Sequence, residues 1–321
     1  MDNLNVLYIC DENFAEVAGV SITSLFKNNP SRKIHITVYL LTVEISSESK
    51  NKFLRLSEKS GHDLILIDAT EEFQIIQQQN LSLYRGSAMT NLRLYFDKLI
   101  PQTVHRILYI DCDTIITDEL IPLCNYQLNG KLLAMTLDAY GKILRKSADE
   151  VYYNAGVLLI DCDRWRNEYW RQKIEVFIKN NTEQLAHPDQ DVFNHVCKGE
   201  IDRLPIRYNL QVVHREYVEK LYFRYLAPEN YYSGQEIEDA RNKPAIIHMI
   251  RSLGTNPWYK DGKLHPDYKL YQSYKNISQW EKTAPQVIGV GKVIRCERIL
   301  KKVLPQRAFF AISLIAMKII I

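Results

Sequence analysis

Asp111 and Asp113 stand two residues apart at the end of the most strand-like run of the sequence, Arg106-Ile107-Leu108-Tyr109-Ile110. In extended backbone, residues i and i+2 share a side, so both carboxylates can point into one crevice. Ligands of open α/β sheets bind at the carboxyl ends of strands. Two neighbouring carboxylates repel unless a cation lies between them, and hard divalent ions favour such oxygens. The alternative reading is a polar turn with one aspartate capping a helix. A second copy of the pattern, Asp161-Cys162-Asp163, follows the apolar run Ala155-Gly156-Val157-Leu158-Leu159-Ile160. It runs directly into Arg164-Trp165 and a long helical pattern, which predicts an N-cap rather than a metal.

The elements that would position the first pair alternate in type. Apolar runs at 6–10, 35–41, 63–67, 106–111, 132–137, 156–161 and 245–249 predict strands, and helical spacing covers 14–27, 47–59, 90–99 and 165–180. A short helix is expected from Asp189, and Pro101 stops the helix at 90–99. Short strands separated by helices of this length predict an α/β fold with right-handed crossovers and a mainly parallel sheet. Continuous rather than alternating hydrophobicity agrees, because parallel strands are covered on both faces.

A chain of 321 residues accommodates one α/β domain of about 250 residues and an appendage. The composition, 46% hydrophobic and 25% charged, is that of a protein with a packed core. A net charge of +3 gives no basis for nucleic-acid binding. Six cysteines show no CxxC pair or finger spacing, and Cys10, Cys112 and Cys162 follow apolar runs, as reduced buried cysteines do. The N-terminal residues lack a basic and cleavable apolar leader, so the expected location is the cytoplasm, at the inner face of the cell membrane.

Asp111-Cys112-Asp113-Thr114 also fits the D-x-D-x-T of haloacid-dehalogenase-like phosphatases, where the first aspartate is the nucleophile. In that class the motif usually lies on the first strand, whereas three strands are predicted ahead of it here. A larger constellation decides between the readings. Cys10-Asp11-Glu12-Asn13-Phe14, Thr90-Asn91-Leu92-Arg93-Leu94 and Leu108-Tyr109-Ile110-Asp111-Cys112-Asp113 are followed by Tyr153-Asn154-Ala155-Gly156-Val157. Then come Pro188-Asp189-Gln190-Asp191-Val192-Phe193-Asn194, and His248 with Asn256-Pro257-Trp258 after it. In this order they resemble glycosyltransferase family 8, the bacterial lipopolysaccharide galactosyl- and glucosyltransferases and their glycogenin relatives, over residues 5–260 or so.

The resemblance implies a GT-A fold and retaining transfer of glucose or galactose from a UDP-sugar to a glycan, with Mn²⁺ or Mg²⁺. It implies that Asp11 and Asn13 contact the uridine and that Arg93 lies over the nucleotide-sugar. Asp111 would bridge metal and ribose, Asp113 would bind metal, and His248 would complete the protein ligands. Two carboxylates and an imidazole suit Mn²⁺. Asp138 would approach the donor sugar, Asn154 and Ala155 would line its pocket, and Asp189 and Gln190 would stand near the anomeric carbon. The family usually carries a lysine before Pro-Trp to grip the diphosphate; Asn256 stands there instead, which shifts the expected grip to Arg251. A catalytically silent relative that binds UDP-sugar without consuming it is the remaining alternative.

A boundary is expected at 280–290, giving a catalytic domain over 1–280 and a tail over 281–321. In the tail Lys292, Arg295, Arg298, Lys301, Lys302 and Arg307 recur among Val293, Ile294, Ile299, Leu300 and Val303. That is a basic amphipathic helix suited to an anionic membrane surface and to a lipid-linked acceptor. Residues 308–321 are almost wholly apolar but shorter than the ~20 residues a spanning helix needs. The other reading is a helix packed on the domain.

Overall fold

The computed structural model describes residues 2–78, 83, 87–141, 151–181, 185, 187–216, 221–223, 227–228, 230–309 and 311–312. Among the described residues there are ten strands: β1 (Asp2–Asp11), β2 (Ile34–Val43), β3 (Asp63–Asp68), β4 (Arg106–Ile110), β5 (Thr114–Ile116), β6 (Leu133–Leu137), β7 (Tyr153–Asp161), β8 (Ile201–Arg203), β9 (Leu210–Gln211) and β10 (Ile246–His248). Helices of eight or more residues are α1 (Ala15–Asn28), α2 (Ser47–Glu58), α3 (Thr70–Gln78), α4 (Glu168–Asn180), α5 (Pro188–Val196), α6 (Gly234–Asn242), α7 (Tyr268–Lys275) and α8 (Lys292–Val303).

The main sheet has seven strands in the order β3-β2-β1-β4-β7-β6-β8. The pairs β1–β2, β2–β3, β1–β4 and β6–β8 are parallel, and β7 alone runs against its neighbours β4 and β6. The central strands are buried on both faces, as their unbroken apolar runs predicted. In β1, Leu4, Val6, Tyr8 and Cys10 enter one core and Leu7 and Ile9 the other. A smaller cluster, rich in tyrosine, joins Leu137, Leu210, Tyr222, Tyr231 and Tyr232 with Ile237 of α6.

A second sheet, β5-β10-β9, has three short strands. β5 leaves the Asp111-Cys112-Asp113 turn and pairs antiparallel with β10, so Thr114 lies opposite His248. Pairing then delivers His248 to the acidic turn across more than 130 residues of chain. This small sheet is the reason the site can exist.

Two local expectations are corrected. Residues 90–99 form two 3₁₀ stretches, Met89–Leu94 and Phe96–Lys98, because Asn91, Arg93 and Asp97 are buried alongside the apolar residues and no polar face remains for an amphipathic α-helix. The pattern at 165–180 is interrupted: Asp161 caps a single turn, Cys162–Trp165, and Asn167 then caps α4. Asp161 Oδ1 accepts from the Arg164 amide at 3.0 Å, so the second Asp-Cys-Asp is a cap. Asp163 pairs at the surface with His105.

The boundary region is anchored. Trp280 is buried against Phe53 of α2, with ring centroids 4.9 Å apart, and over Gly19 of α1. α8 lies on the domain through one face: Ile294 packs on Gly254, Arg298 pairs with Asp261, and Lys301 pairs with Glu216. Its other face leaves Val293, Ile299 and Val303 at least 60% exposed. Of the apolar run at 308–321, residues 310 and 313–321 lie outside the described residues. Among the described residues no helix is long and apolar enough to cross a membrane.

Candidate active site

The acidic turn is fixed from behind by buried hydroxyls. Thr114 Oγ1 donates to the Asp111 carbonyl at 2.8 Å and stands 3.0 Å from Ser21 Oγ of α1, which meets Tyr8 OH of β1 at 3.0 Å. The Cys112 thiol turns inward to the Ile9 carbonyl. With the middle residue directed into the core, the two aspartates face the cleft at the carboxyl end of the sheet. Each stays partly exposed there, with side chains 22% and 24% accessible.

His248 completes a group of three. Its Nε2 lies 3.1 Å from Asp113 Oδ1 and 3.7 Å from Asp111 Oδ2, and one ligand atom from each of the three residues falls within 4.8 Å of the others. Burial disfavours charge on the imidazole, but Asp113 and Asp111 outweigh it and raise its pKa. Burial works against ionised Asp113 as well, yet the His248 partnership leaves that carboxyl below its usual range. Asp111 is raised, by burial first and by the negative charge of Asp113, against the pull of Arg93. Two carboxylates and an imidazole nitrogen converging on one point fit a divalent cation, which would relieve their mutual strain.

Room for the imidazole comes from Gly156 on β7. A Cβ there would stand 2.3 Å from His248 Cε1 and 2.5 Å from its Nδ1. The glycine two positions after Asn154 therefore serves the histidine. His248 Nδ1 is 2.9 Å from Asn209 Oδ1, and Asn209 Nδ2 donates to Asn154 Oδ1 at 2.8 Å. Asn209 was not visible in the sequence as a site residue; a lone asparagine after Arg207-Tyr208 carries no signal.

A second cluster adjoins the first. Asn154 Nδ2 donates to Asp138 Oδ2 at 2.8 Å, and Gln190 Nε2 reaches the same oxygen at 3.2 Å. Gln190 Oε1 accepts the Ala155 amide at 3.0 Å. Both the amide and the carbonyl ends of Gln190 are thus held, and Asp138, Asn154 and Gln190 are all buried. Asp189 lies in the first turn of α5 beside Gln190 and accepts Arg93 Nε at 2.9 Å. The same guanidinium reaches Asp111 at 3.1 Å and the Ala155 carbonyl at 2.5 Å, and lies over the Tyr109 ring. Burial alone would lower the pKa of Arg93, but Asp111 and Asp189 more than offset it. Arg93 therefore ties the acidic turn to α5.

Three of the expected site residues lie apart from these clusters. Asp11 ends β1, the strand beside β4, and caps the following turn by accepting the Phe14 amide at 3.0 Å; Asn13 lies within that turn. Arg251 is exposed and donates to the Gly254 carbonyl at 2.8 Å. Asn256 is buried, its amide on the Met249 carbonyl at 3.1 Å, so it closes the loop after β10. Gln286 ties that loop to the N-terminal turn, donating to the Asn13 carbonyl at 2.7 Å and pairing with Tyr259.

Comparison with known proteins agrees with this architecture. The chain is 26% identical over 319 residues to a lipopolysaccharide 1,2-glucosyltransferase of Escherichia coli K12, covering 96% of this chain and 87% of that protein. It is 24% identical over 297 residues to the lipopolysaccharide glucosyltransferase WaaO of the same organism, covering 88% and 80%. Among solved structures, the galactosyltransferase LgtC in complex with donor and acceptor sugar analogues superposes with a TM-score of 0.67 at 20% identity, over 91% of this chain and 99% of that one. The fold is GT-A. The description "Glycosyl transferase family 8" matches residues 5–262, most of the chain, and the protein belongs to that family of glycosyltransferases.

Proposed function

We propose that the chain is a retaining hexosyltransferase that moves glucose or galactose from a UDP-sugar to a lipopolysaccharide or another cell-surface saccharide with Mn²⁺ or Mg²⁺. The observation that carries this reading is the convergence of Asp111, Asp113 and His248 beside the buried Asp138–Asn154–Gln190 cluster. The names of the relatives in Escherichia coli support the acceptor class. A nucleotide-sugar placed over β1 and β4 would meet Asp11 and Asn13 with its uridine, the aspartate–histidine group with its diphosphate, and Asp138, Asn154, Ala155, Asp189 and Gln190 with its sugar.

A cation held by Asp111, Asp113 and His248 would neutralise the charge gathering on the departing diphosphate. Arg93 holds Asp111 and Asp189 in fixed relation and keeps the acidic turn aimed at the cleft. Gln190 is an amide and a poor nucleophile beside a carboxylate, so its carbonyl is assigned to electrostatic support of the oxocarbenium-like carbon. The acceptor hydroxyl then attacks from the face on which UDP leaves. The anomeric carbon–diphosphate oxygen bond breaks, the bond to the acceptor oxygen forms, and the hydroxyl proton passes to the departing oxygen beside it. With Asn256 turned into its own loop, the exposed Arg251 is the cation assigned to the diphosphate.

The catalytic domain is assigned to 1–280, ending at the anchored Trp280, and the tail to 281–321. The outward face of α8 joins Val293, Ile299 and Val303 to Lys292, Arg295 and Lys302, which favours peripheral contact with an anionic membrane on the cytoplasmic side. A donor panel tests the reading. Turnover of UDP-glucose or UDP-galactose, with the α-linkage retained in the product, is expected. No consumption of any UDP-hexose with Mn²⁺ or Mg²⁺ contradicts it and leaves the silent relative. The phosphatase reading is not favoured by the family match, and its marker, an aspartyl-phosphate at Asp111, is not expected.

A further inference from the structure

The metal reading leaves open which nitrogen of His248 carries a proton, and the buried polar groups behind it answer. Asp138 Oδ2 accepts from Asn154 Nδ2 at 2.8 Å. The Asn154 amide therefore presents its NH₂ to that oxygen. Independently, the Gly156 backbone N–H can only donate, and it meets Asn154 Oδ1 at 2.9 Å. Both neighbours set Asn154 the same way round. Its Oδ1 then requires a donor from Asn209, which supplies Nδ2 at 2.8 Å and so turns its own Oδ1 to His248 Nδ1 at 2.9 Å. An amide oxygen only accepts, so Nδ1 must carry the hydrogen. In the neutral ring, Nε2 is left with a free lone pair, and Nε2 is the atom aimed at Asp113 and Asp111.

We infer that Asn209 is a positioning residue for the metal centre: it relays the hydrogen-bond polarity set by Asp138 and Gly156 through Asn154 and locks His248 as the Nδ1–H tautomer, with Nε2 presented to the cation. Asn209 is 1% exposed and His248 5%, so water does not compete for these groups. Gly156 leaves the space that the ring occupies beside Asn209, since a Cβ there would stand 2.5 Å from His248 Nδ1. The chain of amides also joins the residues assigned to the donor sugar, Asp138 and Asn154, to a ligand of the cation.

The inference rests on the assignment of Asp111, Asp113 and His248 as metal ligands, and the test separates the two. The affinity of the full chain for Mn²⁺ in the presence of UDP is measured by titrating free Mn²⁺, alongside Asn209→Leu and Asn209→Asp. Outer partners of ligating histidines are worth 10–100-fold in metal affinity. Asn209→Leu, close in size and without polar atoms, is expected to lose affinity within that range. Asn209→Asp keeps an acceptor for Nδ1–H and should recover most of it. Nitrogen-15 spectra of the wild-type chain with Mg²⁺ and UDP, a measurement that needs no variant to fold, should show His248 protonated at Nδ1 and bare at Nε2. A proton on Nε2 in that state, or an Asn209→Leu affinity within twofold of wild type, overturns the inference while the metal site stands. Absence of Mn²⁺ binding by the wild type overturns the metal assignment and the inference with it.

Discussion

At the scale of single residues, the site divides into groups that a sequence can announce and groups that it cannot. Asp111 and Asp113 end a buried strand two residues apart, and strand geometry alone sends both to one side. His248 follows an apolar run like many core histidines, and only its company of motifs marked it. Asn209 and the room that Gly156 leaves for the imidazole were hidden, because His248, which each one serves, lies 39 and 92 positions away. Gln190 was picked out as a catalytic group, and its amide is held at both ends by Ala155 and Asp138. Gln190→Ala is expected to lower turnover about a hundredfold, the scale of a lost electrostatic partner of a transition state. Its UDP affinity should stay within about threefold. Near-normal turnover in that variant removes Gln190 from the chemistry.

Among the elements, the strands were the most legible part, since an unbroken apolar run means coverage on both faces. Direction was less so. β7 is as apolar as β4 and β6 beside it and yet runs antiparallel to both, because burial constrains what touches a strand and says nothing of which way it points. Residues 90–99 misled for a related reason: their apolar spacing suits a helix, but the intervening Arg93 is itself buried as a tie between Asp111 and Asp189. The junction of α1, α2 and the chain after α7 yields a clear prediction. A Cβ on Gly19 would stand 2.0 Å from the Trp280 ring. Gly19→Ala should therefore destabilise by about 1–3 kcal/mol despite the better helix propensity of alanine, through overpacking. Denaturant unfolding measures it, and unchanged or higher stability shows that Trp280 does not anchor the end of the domain.

For the whole molecule, length and composition predict one α/β domain with an appendage and say nothing of how the residues after 280 sit. α8 carries both properties between which the sequence could not choose, one face on the domain through Arg298 and Lys301 and one face apolar and basic toward solvent. Sedimentation with vesicles should show binding to phosphatidylserine-containing membranes, weak binding to neutral ones, and release by salt. Ile299→Asp should abolish it while donor turnover in solution is kept; equal binding by that variant places the contact elsewhere.

Stability of the fold also depends on pH through His214, which is buried against Tyr222 and Tyr231. Burial, aided by Arg241, lowers its pKa from 6.5 to about 3. Below the unfolded value the unfolded chain takes up a proton that the native ring refuses. The contribution is therefore complete above pH 6.5 and falls as the pH drops toward 3, by about 1.4 kcal/mol per pH unit. His214→Gln should remove one proton from the pH slope of unfolding between pH 6 and 4, and an unaltered slope excludes this source.

The central claim is that hexose transfer runs on a cation held by Asp111, Asp113 and His248. Its most direct test is donor turnover by enzyme stripped of metal with a chelator, then supplied with Mn²⁺. The predicted result is no turnover after stripping, full recovery with Mn²⁺ in the wild type, and no recovery in Asp113→Asn. Undiminished turnover by the stripped enzyme, or by Asp113→Asn, contradicts the account.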